Sequence, residues 1–263
     1  MSINLNTLSI VKIGGNIVDN PEALNSLLSD FHQLKGRKLL VHGGGVMASK
    51  MAERLGIETK MLDGRRITDA ETLQLVTMVY AGWINKSIVA SLQKTGCNAI
   101  GLSGADANCI PSERRSPVPI DFGFAGDPVT RKINGKFLST LIENDVVPVF
   151  CAITHDENGS LLNTNADTIA SSLAVALSEY YRTTLYYCFE KEGVLRDADD
   201  KSSLIPLMNQ EAFAKLKLQG VVANGMIPKL DNSFKAINQG VSEVVILHAK
   251  NLLKKTGTRL IIG

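Results

Sequence analysis

Paired cysteines are missing from this 263-residue chain. The four present, Cys97, Cys109, Cys151 and Cys188, form no C-x-x-C pair and have no histidine at zinc-ligand spacing. Their reading is buried free thiols in a reducing compartment. His32, His42, His155 and His248 are just as scattered, and neither G-x-S-x-G nor H-E-x-x-H occurs, so triad hydrolysis and metalloprotease chemistry are set aside. The phosphate loop G-x-x-x-x-G-K-[ST] is also absent. Neither sign of charge dominates, with 28 Lys plus Arg against 26 Asp plus Glu, so the chain carries no field that would recruit nucleic acid or an anionic membrane. Aromatic residues for base stacking are scarce, at 5%. The N-terminus lacks a basic region followed by a long apolar stretch, and no run reaches the ~18 continuous apolar residues of a span. The expected location is the cytoplasm, with neither nucleic acid nor membrane as a partner.

What is present is a core-forming 44% of hydrophobic residues, arranged as strand-length apolar runs that alternate with segments of helical period. That alternation predicts an α/β fold, a mainly parallel sheet covered by helices. LSIVKI (8–13) is the first strand. In the helix that follows, Asn20 can cap, Pro21 suits the first turn, and Leu24, Leu27, Leu28, Phe31 and Leu34 share one face. KLLVH then runs into a helix beginning at glycines. Thr68 and Glu71 stand at capping-box spacing before the longest helix in the chain. Residues 111–136 read as surface hairpins or loops, with Glu113, Arg114 and Arg115 a solvated tip. No linker or short repeat divides the sequence, and if it has two lobes the seam falls near residue 180.

Four constellations could carry chemistry. Lys12 lies inside an apolar strand immediately before Gly14 and Gly15. Taken alone it fits an open strand face or edge; beside exposed backbone N–H groups, an ammonium makes a site for phosphate or carboxylate. Gly43, Gly44 and Gly45 stand between a strand and a helix start, where a tight turn would account for only one of them. The segment also matches G-x-G-x-x-A through Ala48, with Asp63 near the place of a ribose acid, although it follows the second strand and the dinucleotide fingerprint follows the first. Asn163, Asn165 and Asp167 crowd a helix entrance that needs only one of them as a cap. Lys229 falls in the first turn of a helix, where a cation is electrostatically misplaced unless it is solvated or has an anionic client. Two lysines, two glycine-rich strand ends and one carboxylate, without an obvious general base, suit phosphoryl transfer to an acceptor that is already an anion.

The segments VKIGGN, VHGGG, GRRITDAETLQLV, AGWINKSIVASL, LNTNADTIASSLA and NGMIPK, in this order, resemble the N-acetylglutamate kinases, a branch of the amino acid kinase family. The resemblance spans almost the whole chain. It implies an open three-layer α/β/α sandwich, with residues 1–180 binding the N-acylglutamate and residues 181–263 binding ATP. The implied reaction moves the ATP γ-phosphate onto the side-chain carboxylate, in arginine biosynthesis, with Mg2+ carried by the nucleotide and no metal ligand from the protein. By the same resemblance Lys12 and Lys229 would stabilise the transferring phosphoryl group and Asp167 would hold the two lysines in register. Gly14 and Gly15, with Gly44 and Gly45, would offer backbone donors to phosphate and substrate. Arg66 would grip the α-carboxylate, assisted by Asn163 and its neighbour Asn165.

The nucleotide contacts of Glu190, Gly193, Val194 and Leu195 are also implied, but here the chain departs from the pattern: it reads CFEKEGVL, with Phe189 and Glu190 where the family has Leu, Thr or Ser, and Asp. Asn224 before Gly225 is a milder variation. By the same resemblance, with a lead before the first strand shorter than in the arginine-inhibited hexameric members, a homodimer without arginine feedback is expected. An NAD-dependent dehydrogenase, resting on the glycine fingerprint, and a non-catalytic module that binds a small acid are the alternatives. The acyl group, acetyl or a larger one such as succinyl, is open.

Overall fold

A computed structural model describes residues 7–62, 64–197, 200–222 and 226–262. The strands are β1 (Thr7–Ile13), β2 (Arg37–His42), β3 (Lys60–Leu62), β4 (Arg65–Ile67), β5 (Ala99–Leu102), β6 (Ser112–Arg114) and β7 (Ala125–Pro128). They continue as β8 (Val147–Phe150), β9 (Ile153–His155), β10 (Leu161–Thr164), β11 (Arg182–Phe189), β12 (Leu207–Met208), β13 (Glu243–His248) and β14 (Thr258–Leu260). The α-helices are α1 (Gly15–Val18), α2 (Pro21–Gln33), α3 (Gly45–Leu55), α4 (Ala70–Thr77), α5 (Asn85–Lys94), α6 (Gly135–Glu143), α7 (Ala166–Leu177), α8 (Gln210–Leu218) and α9 (Ile227–Asn238).

Eight strands form the main sheet in the order β12-β14-β13-β11-β1-β2-β8-β5. All neighbours pair in parallel except β13 with β14. β1 is central and apolar on both faces, with Leu8, Ile10, Val11 and Ile13 buried, as a parallel strand covered on both sides must be. On one layer α2 packs against α5, and on the other α7 packs against α6 and α9. The expected sandwich is the fold observed.

The register matters for function. Ile13 lies opposite His42 on one side and opposite Cys188 on the other, so the chain leaves β1, β2 and β11 at the same edge of the sheet. There β1 connects to α1 through Gly14, and β2 connects to α3 through Gly43 and Gly44. The chain order also reverses at β1, with β2 on one flank and β11 on the other, which is where open α/β sheets bind ligands.

Two smaller sheets lie outside what the sequence reading resolved. β6-β7-β10-β9 make a four-stranded sheet, and β3-β4 make a hairpin. The first accounts for residues 111–136, read as surface hairpins or loops: β6 and β7 pair antiparallel, and such short strands with no alternating apolar face join a larger sheet only through tertiary contacts. The long helix runs unbroken from Ala70 to Lys94. By length and composition it could cross a membrane, but its Leu75, Val76, Val79, Ile84, Ile88 and Leu92 lie buried in the core. Its cap is Asp69, whose carboxylate accepts from the N–H of Thr72 at 2.8 Å, and not Thr68. Thr68 is fully buried and its hydroxyl serves the neighbouring site instead.

Candidate active site

The entrance of α7 organises the site. Asn165 caps it, its side-chain oxygen accepting from the N–H groups of Asp167 (2.8 Å) and Thr168 (3.2 Å). Asp167 therefore stands in the first turn, at the positive end of the helix dipole, where an anion is favoured. Its carboxylate bridges two cations that are far apart in sequence: Lys12 Nζ lies 2.7 Å from Oδ1 and Lys229 Nζ lies 3.1 Å from Oδ2. Burial pushes the Asp167 carboxyl up, but Lys12 and Lys229 more than reverse this and hold it at about 2. It is an anion throughout the physiological range.

Lys229 explains its place in a helix N-terminus by what surrounds it. Its ammonium sits 4.8 Å from the Tyr187 ring centroid and 5.4 Å from that of Phe189. Aromatic faces and Asp167 together replace the water it has lost. Burial lowers its pKa, Asp167 raises it and Lys12 lowers it again. The unexpected Phe189 thus packs beside a functional candidate.

A cavity of about 300 Å³ opens beside this bridge. Lys12, Gly15, Gly44, Gly45, Arg66, Asn163, Asn165 and Asp167, all singled out in the sequence, line it. Lys229 joins the group through Asp167. The buried Arg66 guanidinium is anchored by one nitrogen, Nη2, which donates to Gly45 O (3.0 Å) and Ser49 Oγ (2.8 Å). Its Nη1 is buried with no hydrogen-bond partner, a donor suited to an incoming carboxylate oxygen. Asn163 donates to Thr68 Oγ1 (2.9 Å), which donates to Arg66 O (3.1 Å), so β10 braces β4.

Three expectations change. Gly14 offers no free donor, because its N–H is given to Cys188 O at 2.8 Å; a Cβ there would lie 3.2 Å from that oxygen, so close approach to β11 is what its small size permits. Glu190, Gly193, Val194 and Leu195 do not line the cavity. Gly193 and Val194 are buried, and the Val194 N–H donates to Thr258 Oγ1 at 2.8 Å. Arg115 is not a solvated tip: it lines the cavity, half-buried and bidentate to Asp127, with Nε 3.0 Å from Oδ2. Tyr80 and Met61 also line the cavity and went unread. Only Asp127, twelve positions beyond Arg115 across a hairpin, hinted at the arginine's place. Asp63, Asn224 and Gly225 lie outside the described residues.

A profile of the amino acid kinase family matches residues 7–248. The acetylglutamate kinase of Cytophaga hutchinsonii is 55% identical over 262 residues, covering 97% of this chain and 98% of that one. That of Phocaeicola vulgatus is 55% identical over 251 residues, covering 95% and 97%. Among solved structures, that of smu.665 from Streptococcus mutans UA159 superposes with a TM-score of 0.81 at 24% identity, covering 97% of this chain and 99% of the other, a likeness of fold. Relatives more than half identical along nearly the full length, on this fold, leave one placement: the chain belongs to the amino acid kinase family.

Proposed function

We propose that this chain transfers the γ-phosphoryl group of ATP to the side-chain carboxylate of N-acetyl-L-glutamate, releasing ADP and the acyl phosphate, as a step of arginine biosynthesis. The observation that carries the reading is Asp167 bridging Lys12 and Lys229 at the mouth of a cavity that also holds Arg66. Two ammonium groups and one carboxylate leave a net positive charge where two anions must meet, which lowers the electrostatic cost of the encounter.

The steps follow from charge. The acceptor carboxylate has no proton to lose, so no general base is required. Its oxygen forms a bond to the γ-phosphorus as the bond from that phosphorus to the bridging oxygen of ADP breaks, and the electron pair leaves with ADP. Lys12 and Lys229 stabilise the charge spread over the transferring oxygens, and Asp167 keeps their amines in place when no ligand is bound. The orphaned Nη1 of Arg66 receives the α-carboxylate, with Asn163 and Asn165 lining the same cavity. Gly15, Gly44 and Gly45 present bare backbone to the phosphates and the substrate. A non-catalytic role would give no use for a lysine pair held this way.

Among the described residues no group of three or more His, Cys, Asp or Glu side chains is placed to hold a metal ion. Mg2+ would be carried by the nucleotide. Residues 1–180 carry the acylglutamate side and residues 181–263 the nucleotide side, with Lys229 reaching across to Asp167. The enzyme works in the cytoplasm as a homodimer.

The test is ADP release, coupled to a reporter, across a panel of N-acylglutamates that includes the acetyl and succinyl compounds. Turnover with an N-acylglutamate is expected, and the acyl group protects the product, because a free amine would attack the new acyl phosphate, expel inorganic phosphate and cyclise. No ADP release with any N-acylglutamate would refute the reading. The panel also decides the acyl group.

A further inference from the structure

The glycine triplet that ends β2 is fixed from behind. His42, the last residue of β2, is fully buried, and its Nδ1 lies 2.8 Å from Gly43 O. Its Nε2 lies 3.0 Å from Nδ2 of Asn85. That same Nδ2 is 3.0 Å from Val149 O on β8. A carbonyl accepts and an amide nitrogen donates, so one tautomer satisfies every contact: the proton is on Nδ1 and is given to Gly43 O, and Nε2 accepts from Asn85. Burial pushes the His42 pKa down to about 4, so the ring is neutral at the working pH.

Asn85 reaches His42 because the long helix changes its winding. Met78–Ile84 is π-helical, an arrangement that recurs at functional sites. From Val79 and Tyr80, α-helical steps of four and three would both turn Trp83 toward the sheet. The wider turn instead steps five residues, to Ile84 and Asn85, which are buried, and leaves Trp83 69% exposed. The same turn presses Ile84 and Tyr80 onto Gly44, where a Cβ would come within 2.3 Å of Ile84 Cδ1 and 2.9 Å of Tyr80 Cδ1. On the far side, Gly101 of β5 leaves the slot that Asn85 fills: a Cβ there would fall 1.9 Å from Asn85 Oδ1. The fit is shaped at both ends.

We infer that His42 and Asn85 are positioning residues for the proposed phosphoryl transfer, holding the backbone of Gly43–Gly45 in its receiving geometry through the Gly101 slot and the π-helical turn. The inference rests on the phosphotransfer reading. Neither side chain lines the cavity. They act through the carbonyl of Gly43 and the packing over Gly44. A cradle displaced by about 1 Å loses roughly 10²-fold in rate, so the effect belongs in kcat.

The experiment uses the full chain with His42→Leu, His42→Asn and Gly101→Ala, measured for kcat, both KM values, thermal midpoint and amide hydrogen exchange. His42→Leu is expected to lower kcat by about 10²-fold, more than it raises either KM, and to speed exchange at Gly44 and Gly45. His42→Asn, whose amide can donate from the Nδ1 position, is expected to recover at least about tenfold of that loss. Gly101→Ala, which displaces Asn85 from behind, is expected to lower kcat while leaving the cavity walls chemically unchanged. A folded His42→Leu with kcat within about twofold of the unaltered chain would overturn the inference, as would equal loss in His42→Leu and His42→Asn. If His42→Leu does not fold, an unchanged kcat in Gly101→Ala overturns it. If the unaltered chain turns nothing over, the phosphotransfer reading fails separately, and unchanged glycine exchange in the folded variants still decides against the positioning role.

Discussion

Asp167 stands between two ammonium groups, and each of the three can be removed on its own. In the proposed transfer Lys12→Ala takes away a donor to the developing charge, and should lower kcat by roughly 10²- to 10³-fold with smaller changes in KM. An undiminished kcat removes Lys12 from the proposed mechanism. Under the proposed reading, Arg66→Ala should instead raise KM for N-acetylglutamate by about 10-fold or more while KM for ATP changes little, because Nη1 is a buried donor with no partner in the chain. Equal effects on both would point away from carboxylate binding. At this scale Lys12, Asp167 and Lys229 were legible because each breaks a local rule: a cation in an apolar strand, a surplus acid at a capped helix, a cation at a positive helix end. Arg115 broke none, and a run of charges hid its partner across the hairpin.

Among the elements, those with a strong period or a local cap were readable in advance. Asn20 caps α2, bonding to the N–H groups of Glu22 and Ala23, as its place before Pro21 predicts. Asn165 caps α7 while also facing the cavity, so Asn165→Ala has a structural cost of about 1 kcal/mol, visible as a lowered thermal midpoint, besides any effect on turnover. A midpoint unchanged by that substitution would show that the cap contributes nothing. Thr68 and Glu71 have the spacing of a capping box, yet Asp69 takes the cap because Thr68 is drawn into the core between Arg66 and Asn163. The π-helical turn had no signal of its own: its residues have ordinary helical character, and the winding follows from what Gly44 and Gly101 leave room for.

Acid stability is a property of the whole molecule, and two groups contribute to it in opposite surroundings. His42 is held at about 4, below the ordinary 6.5, by burial. Its neutral form therefore stabilises the fold above pH 6.5, and that contribution, about 3 kcal/mol, is lost as pH falls from 6.5 toward 4. Asp167, held at about 2 against an ordinary 3.8, contributes above that ordinary value and loses its contribution only as pH falls through 2. The expected result is a thermal midpoint that falls between pH 6.5 and 4 in the unaltered chain and falls less in His42→Asn. Identical pH slopes in the two chains would show that His42 is not the group responsible.

Residues 12 and 229 reach the same carboxylate only once α9 is in place beside α7. A chain without α9 would keep Lys12 on Asp167 and lose the second cation of the bridge. The charge balance around Asp167 is therefore written by residues 217 positions apart, and neither end of the polypeptide supplies it alone.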